Sequence, residues 1–447
     1  MSTSAALLLI RPSGTSATLT RLQLLASGVT TLLTFAVIML AIAFWNTPTN
    51  EVGYTVLAVS LVGLLIVPLI TLGSATARLA ARSRDDRLAT LRLLGATSAR
   101  VRRIAVTEVT VIAAMGVLIG TVFSAALPFV LGLLTVYGEP LQAAELWLPW
   151  WLTVAIPPAL VALAGISGML GLRQVMLSPL GVRTRQDVPR LSWLRLLAAV
   201  AVLGIAVLIM QTASDGWGAV VLIIVLAVAV LAVMGVLGLV GPFIVSRLAH
   251  SRARKTADPT RLIASRSIID NPRTAWQEAS ALALTTFVLI PAGSMLGYLD
   301  TIQNSASREI MTTDQLLMFA DARTMVIALV TVSFLVVACQ IAITQTAAVI
   351  ERRELYIALD RIGMPAKDLN RSRRLRVTMT ANIAVIGSAI AAAVLAFWMV
   401  FMALATAPLF VLAIIIVLTV GLLLIQLGVT STNPVLARVL NAPTRGE

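Results

Sequence analysis

The feature that most constrains the fold is a series of apolar stretches of about the 20 residues that an α-helix needs to cross a bilayer, or longer. No charged residue interrupts the central part of any stretch. Because lipid offers the backbone no hydrogen-bond partners, each stretch is expected to form a helix. The sequence therefore predicts an all-α polytopic membrane protein. We place ten spans, at residues 22–46, 53–77, 105–137, 149–172, 194–213, 217–246, 278–298, 324–349, 377–404 and 408–430.

Basic residues predict the orientation of these spans. If the N-terminus is cytoplasmic, the outward connections carry only Arg308 and Arg323 of the 34 lysines and arginines. The positive-inside rule then places both termini in the cytoplasm. The strong preference for arginine over lysine is typical of a GC-rich bacterial genome, so we expect a bacterial plasma membrane. The first residues have no basic region ahead of their apolar stretch, which favours an amphipathic surface segment over a cleaved signal peptide.

A segment between the second and third spans is repeated near the end of the chain. Residues 84–108 read RDDRLATLRLLGATSARVRRIAVTE, and residues 352–376 read RRELYIALDRIGMPAKDLNRSRRLR. An offset of 268 residues aligns Leu91, Gly95, Val101 and Arg103 with Leu359, Gly363, Leu369 and Arg371. Shorter motifs before the first and seventh spans, and after the fourth and tenth, match in the same order. These matches predict a duplicated four-span unit.

The repeat predicts two four-span halves joined by a central helix pair. We assign residues 1–185 to the first half, 186–250 to the central pair and 251–447 to the second half. Because an even number of spans separates equivalent points, both halves enter the membrane in the same direction. A pseudo-two-fold axis is therefore expected along the membrane normal.

Each repeated segment predicts a short helix that ends at a glycine and leads into a basic helix and the next span. The two units lie near residues 84–103 and 352–371, on the side predicted to be cytoplasmic. Leucines and charges displayed together suit docking to a soluble partner. A plainer alternative is that both segments are basic loops that only fix the topology. The preserved spacing of leucine and glycine favours docking.

Residues needed for several common activities are missing. Neither of the two lysines, Lys255 and Lys367, follows a glycine as a phosphate-binding loop requires. His250, expected in a basic loop, is the one histidine and Cys339 the one cysteine, which argues against a metal site or a catalytic triad. We therefore expect neither an enzyme nor a bound cofactor. The basic residues form short clusters instead of one patch interleaved with aromatic residues, so no nucleic-acid partner is expected.

Polar residues inside the spans are few. Glu108, Glu278 and Asp300 lie near span ends, so the centre of the membrane lacks the charge that ion-driven carriers use. Energy is therefore expected to arrive through the cytoplasmic face. Amide side chains are expected to join helices by hydrogen bonds or to contact substrate, the first being the commoner role. They occur at Gln340, Gln345, Asn382 and Gln426.

The paired segments resemble the signature of FtsX-like permeases, the membrane subunits of mechanotransmitting (type VII) ABC systems. The layout of ten spans is similar to that of bacitracin-resistance-type permeases. One departure is that no outer connection is long enough for the large extracytoplasmic domain that such permeases usually carry, since the longest covers residues 300–323. The resemblance implies a permease subunit that works with a separate ABC ATPase, two copies per chain, which binds ATP and Mg²⁺.

The resemblance also implies which residues contact the ATPase. The two short helices would be coupling helices, and closure of the ATPase dimer would move them and tilt the spans. The coupling residues so implied are Asp86, Arg87, Leu88, Leu91, Arg92, Gly95, Arg353, Glu354, Leu355, Leu359, Arg361 and Gly363.

Two functions remain open from the sequence. The first is ATP-driven export, or extraction from the membrane, of an amphipathic substrate such as an antimicrobial peptide, a hydrophobic antibiotic or a lipid. Efflux of this kind would give antimicrobial resistance. The second is relay of ATPase motion to an extracytoplasmic partner without transport. The short outer connections count against the relay, because it needs something outside to hold.

Overall fold

The computed structural model describes residues 14–49, 52–82, 97–176, 201, 204–205, 219–303, 312–351 and 353–430. Three predicted features lie outside these residues: the N-terminal surface segment, the first of the two short repeated helices, and most of the fifth span.

The N-terminal part of the chain contains four long helices, with a short helix and a two-stranded hairpin between the third and the fourth. They are α1 (Gly14–Trp45), α2 (Val52–Arg82), α3 (Ser98–Ser124), α4 (Leu127–Leu131), β1 (Thr135–Val136), β2 (Glu139–Pro140) and α5 (Trp150–Met176).

The C-terminal part begins with a long helix and a short one, and then repeats the succession of long helices. Its elements are α6 (Ala219–Lys255), α7 (Pro259–Asp270), α8 (Pro272–Gln303), α9 (Thr313–Glu351), α10 (Arg353–Arg361), α11 (Ala366–Leu395), α12 (Phe397–Thr406) and α13 (Pro408–Thr430). Helix α8 bends by 42° between Pro272–Ser280 and Leu282–Tyr298.

Two groups of four long helices have the same set of neighbours. In the first group, α1 and α5 each pack against both α2 and α3. In the second group, α8 and α13 each pack against both α9 and α11. The groups meet along α2 and α9, where Leu61 and Leu65 share one buried apolar cluster with Leu329 and Val336. Helix α6 lies against α7 and α8.

Within the described residues, five helices are long and apolar enough to cross a membrane, and the bent α8 would be a sixth. Shorter apolar helices cover Gly53–Ile66, Phe397–Thr406 and Ile414–Thr430. Exposed tryptophans such as Trp150, Trp151 and Trp398 lie at helix ends, where aromatic side chains suit the membrane surface. The prediction of an all-α polytopic membrane protein is confirmed.

Three predicted span boundaries were wrong. The ninth span was predicted to cover residues 377–404, but α11 ends at Leu395 and the short α12 follows it. The third span was predicted to reach residue 137, but α3 ends at Ser124 and the chain turns through the hairpin at Thr135–Pro140. Residues 300–323 were predicted to be a connection, but α8 continues to Gln303 and α9 begins at Thr313. Helix α9 can start in this polar stretch because Asp321 is buried against the first group by hydrogen bonds.

The two ends of the helix bundle differ in chemistry. We call the end that holds Arg82, Lys255 and Arg361 the basic end, and the opposite end, which holds the β1–β2 hairpin, the hairpin end. Helix α9 has 39 residues and runs from the hairpin end to the basic end. At a rise of about 1.5 Å per residue it is about 58 Å long, longer than the bilayer core.

Helix α1 is held close to α3 by glycine and hydroxyl residues. A Cβ atom at Gly120 would lie 2.5 Å from the carbonyl oxygen of Gly28, and one at Gly116 would lie 2.6 Å from that of Leu24. Only glycine permits such an approach of two backbones. The buried Thr30 and Thr31 hydroxyls each donate to a carbonyl four residues earlier, so α1 can bury them in apolar surroundings.

Candidate functional site

The second short repeated helix is α10, which lies at the basic end between two long helices. It ends as the sequence predicts, because Gly363 has a φ of +93° that other residues rarely adopt. The Gly363 N–H donates to the Asp360 carbonyl (2.8 Å) and the Met364 N–H to the Leu359 carbonyl (3.1 Å). This pair of bonds is the Schellman motif, which lets the chain reverse into α11.

Helix α10 has one face on the bundle and another facing away from it. Tyr356 is buried with Val349 and Leu369, and Leu359 and Met364 pack against the same cluster. On the outer face, Leu355 is 50 % exposed and Ile362 is 82 % exposed. The charged Arg361 is also exposed, while Arg353 and Glu354 form the first turn of the helix. Sequence reasoning missed Tyr356, although its spacing of three residues from Leu359 is that of one helical face.

A cleft beneath α10 brings four helices together at the basic end. Its lining includes Ile263 and Ser267 from α7, Gln345 from α9, Leu355 and Tyr356 from α10, and Arg373 and Arg376 from α11. Both arginines are almost fully buried. Helix α10 therefore rests on a polar junction that connects it to the long helices.

A buried ion pair lies at this junction. The Arg376 Nη2 group donates to the Glu278 Oε1 atom at 2.9 Å, and the two side chains are only 7 % and 10 % exposed. The Gln345 Nε2 group donates to the other carboxylate oxygen of Glu278 at 3.0 Å. We call Glu278, Gln345 and Arg376 the carboxylate triad. It joins α8, α9 and α11, so a displacement of any one of these helices acts on the other two.

Helix α7 is fixed to α11 by a second set of polar contacts. Asp258 caps α7, since its Oδ1 atom accepts bonds from the Thr260 N–H (2.9 Å) and hydroxyl (2.7 Å). Its Oδ2 atom lies 3.8 Å from Arg371 and 3.7 Å from Arg261. The Thr260 hydroxyl, with a smaller contribution from Arg371, lowers the pKa of the Asp258 carboxyl.

The other amide residues singled out from the sequence have different surroundings. Gln340 is buried in α9, whereas Asn382, which was expected to be buried with the other amides, is exposed on α11. Gln426 is half-buried and accepts a hydrogen bond from Arg374. His250 lies on the exposed face of α6, not in the loop that was expected, with its Nδ1 atom 2.9 Å from the Ser246 carbonyl oxygen.

A second polar cluster, which was not predicted, occupies the hairpin end. The Tyr54 hydroxyl donates to the Asp321 Oδ2 atom at 2.6 Å, and the Tyr137 N–H donates to the same oxygen at 2.8 Å. The Tyr137 hydroxyl donates to the Asp314 Oδ1 atom at 2.7 Å. We call Tyr54, Tyr137, Asp314 and Asp321 the tyrosine–aspartate cluster. It was missed because both aspartates fall in residues 300–323, which the sequence analysis treated as a connection.

The first short repeated helix cannot be compared with α10, because Asp86, Arg87, Leu88, Leu91, Arg92 and Gly95 lie outside the described residues. The step that follows it can be compared. Thr97 and Pro365 precede α3 and α11 at the same offset of 268 residues, with φ and ψ of −64° and 147° and of −61° and 143°. The chain therefore enters both long helices in the same backbone conformation. Within the described residues, no group of three His, Cys, Asp or Glu side chains could hold a metal ion.

Residues 57–179 match the family model of the FtsX-like permease C-terminal domain. The match begins within α2, includes the first short repeated segment and continues beyond the end of α5. This supports the resemblance to FtsX-like permeases over α2 to α5, and the match does not extend to α1. No curated protein matches the chain.

Proposed function

We propose that this chain is the membrane subunit of an ABC transporter and receives work from a separate ATPase dimer at its basic end. The observation that carries the proposal is the geometry of α10: a short helix fixed to the bundle by Tyr356, with Ile362 exposed and Leu355 half-exposed at the edge of the cleft that it lines. The match of residues 57–179 to the permease domain supports it independently.

The outer face of α10 suits a protein partner better than lipid. Exposed apolar residues beside charges are typical of docking surfaces. In this proposal Leu355, Leu359 and Gly363 belong to the second coupling helix, and Arg353, Glu354 and Arg361 form its polar rim. The segment at residues 84–95 would be the first coupling helix, so that one chain engages two ATPase copies, each with its own ATP and Mg²⁺. The basic end is then cytoplasmic, in a bacterial plasma membrane.

The contacts beneath α10 provide a route for the motion. A push on α10 acts on Tyr356 and on the cleft lined by Arg373 and Arg376. The carboxylate triad then connects this cleft to α8, α9 and α11. Because apolar contacts alone allow helices to slide, a buried ion pair with fixed partners is better suited to move the three helices together.

The substrate in this proposal is an amphipathic compound taken from the lipid and exported or extracted. Supporting this, the longest connection that the structure describes at the hairpin end, residues 125–149 between α3 and α5, contains a five-residue helix and a two-stranded hairpin and offers little surface for a folded partner. Wide apolar faces point away from the bundle, among them Val111, Met115 and Leu118 of α3.

The test measures Mg-ATP hydrolysis with the chain in lipid nanodiscs, titrated with ABC ATPase subunits from the same organism. Leu355→Asp and Ile362→Asp should each reduce chain-dependent hydrolysis by about tenfold or more, because a charge replaces an apolar contact at the interface. Asp360→Asn, an exposed change on the same helix, is the matched control and should change it by less than about twofold. If no ABC ATPase binds, or if the aspartate variants behave like the control, the proposal is wrong.

A further inference from the structure

The tyrosine–aspartate cluster lies at the junction of the two four-helix groups. Tyr54 and Tyr137 belong to α2 and the hairpin of the first group, and Asp314 and Asp321 belong to α9 of the second. Thr49, in the link between α1 and α2, adds a bond to Asp314 at 3.5 Å. Each of these bonds therefore crosses from one group to the other.

The rest of the α2–α9 junction has a different chemistry. Leu61 and Leu65 share an apolar cluster with Leu329 and Val336, and this part is buried. At the hairpin end the Tyr54–Asp321 bond is also buried, but the bonds that Tyr137 and Thr49 donate to Asp314 are only partly buried and lie beside the exposed Gly138 and Glu139. Water that enters there can replace the partly buried bonds to Asp314, whereas separation of the buried leucines would expose apolar surface. The hairpin end is thus the part of the junction that opens most easily.

The hairpin itself is held in an unusual conformation by the cluster. Its two-residue turn consists of Tyr137 and Gly138, both with positive φ, at +57° and +78°. Asparagine is preferred over tyrosine at the first position of such a turn, because bulky residues disfavour positive φ. Tyr137 is kept there by two bonds to α9, one from its N–H and one from its hydroxyl. Once α9 moves away, nothing among these contacts retains that conformation.

We infer that the tyrosine–aspartate cluster is a latch that opens when α2 and α9 separate at the hairpin end, and that this opening is part of the working cycle. The apolar α2–α9 contact nearer the basic end acts as the hinge. In the closed state the cluster and the Tyr54–Tyr137 ring contact, with centroids 6.2 Å apart, seal this end. The role in the cycle rests on the proposed function, whereas the opening itself does not.

A disulfide across the latch can test both statements. A Cβ atom at Gly53 would lie 3.3 Å from the Met318 Cγ atom, which is one bond from the Met318 Cβ atom, so cysteines at the two positions are close enough to be joined by a disulfide. Gly53→Cys with Met318→Cys, in a Cys339→Ala background, would staple α2 to α9 beside the cluster. Gly165→Cys with Thr110→Cys staples α5 to α3 within the first group, since a Cβ at Gly165 would lie 3.2 Å from the Thr110 hydroxyl. It is the matched control.

The first measurement is hydrogen exchange of the Tyr137 amide in nanodiscs, without any partner. If the latch opens by separation of α2 and α9, oxidation of the 53/318 pair should slow this exchange by about tenfold or more, while the 110/165 pair should leave it unchanged. Tyr137→Asn keeps a residue that tolerates the turn but removes the bond to Asp314, so it should speed the exchange of the same amide. Equal exchange in the oxidised and reduced 53/318 protein would overturn the inference.

The second measurement is chain-dependent ATP hydrolysis with the ATPase bound. Oxidation of the 53/318 pair should reduce it by about fivefold or more, and reduction of the disulfide should restore it. The 110/165 pair should retain its activity in both states. Slowed exchange with unchanged hydrolysis would show that the latch opens outside the working cycle. That result contradicts the inference that its opening is part of the cycle. Failure to bind any ATPase would instead count against the proposed function and leave the exchange result standing.

Discussion

The two four-helix groups share one arrangement of neighbours but hold their first and third helices together by different means. In the first group α1 and α3 approach closely at Gly28, Gly116 and Gly120. In the second group the equivalent helices α8 and α11 are joined by the Glu278–Arg376 ion pair. The offset of 268 residues places Glu108 at the position of Arg376, so the charge at this position is reversed.

This difference indicates that the two groups have different structural roles. Close glycine contacts give a tight, inflexible pair of helices, because the backbone atoms cannot be displaced by rotation of a side chain. An ion pair with an added amide ties three helices together and lies directly beneath α10. The second group thus connects α10 to the bundle, whereas α1 and α3 of the first group form a tightly packed pair of helices.

The largest effect is expected from breaking the ion pair. Arg376→Met leaves the Glu278 carboxylate buried with only Gln345 as a described partner, and should lower the free energy of unfolding by about 3 to 5 kcal/mol. Glu278→Gln together with Arg376→Met removes both charges and should recover most of that loss. Equilibrium unfolding in mixed micelles measures both. Arg374→Met, at an exposed arginine of the same helix, is the control and should cost less than about 1 kcal/mol.

If the double variant is no more stable than Arg376→Met, the pair is not held together by its charges. The two groups would then differ only in how closely their first and third helices pack.

Overpacking the glycine contact should have the next largest effect. Gly120→Leu places side-chain atoms against the Gly28 backbone and Thr31, and should destabilise the protein by about 2 to 3 kcal/mol. Gly387→Leu on α11 is the matched control, because a Cβ atom there meets nothing within 4 Å. The same unfolding measurement applies. Equal losses at both glycines would show that α1 and α3 are no more closely packed than their counterparts.

Much of this contrast could not be predicted from the sequence. Apolar stretches located the helices, and the repeat located α10 and its end at Gly363, because these features depend on local pattern and backbone conformation. The Glu278–Arg376 pair was not predictable, since the residues are 98 positions apart and each reads as a charge near a span end. The burial of Asp321 was not predictable for a related reason. Its polar neighbours indicated a connection between spans, and only its contacts with Tyr54 and Tyr137 explain why it is buried.

A smaller effect is expected for the polar contact of the first group. The Gln23 Nε2 group donates to the Val109 carbonyl at 3.0 Å, but its Oε1 atom is buried without a described hydrogen-bond partner. Gln23→Met loses one bond and also removes that unsatisfied oxygen, so the free energy of unfolding should change by less than about 1 kcal/mol. The comparison with Arg376→Met is direct, as both residues lie on long helices near the basic end. A loss as large as that of Arg376→Met would show that the first group also depends on a polar contact.

The smallest effect is expected at the cap of α7, and it depends on pH. Because the folded protein lowers the pKa of Asp258, its carboxylate adds stability that is fully present above the ordinary aspartate pKa and is lost as the pH falls through the lowered value. Asp258→Ala should therefore lower the thermal unfolding midpoint slightly and equally at pH 8 and pH 6. The difference from the wild type should shrink only as the pH falls below about 4, where the wild-type carboxyl also loses its charge.

Arg261→Ala tests whether the cap or the charge matters, since it removes one neighbouring cation and leaves both Thr260 bonds in place. A midpoint difference that already changes between pH 8 and pH 6 would mean that another group, and not Asp258, holds α7 against α11 in the second group.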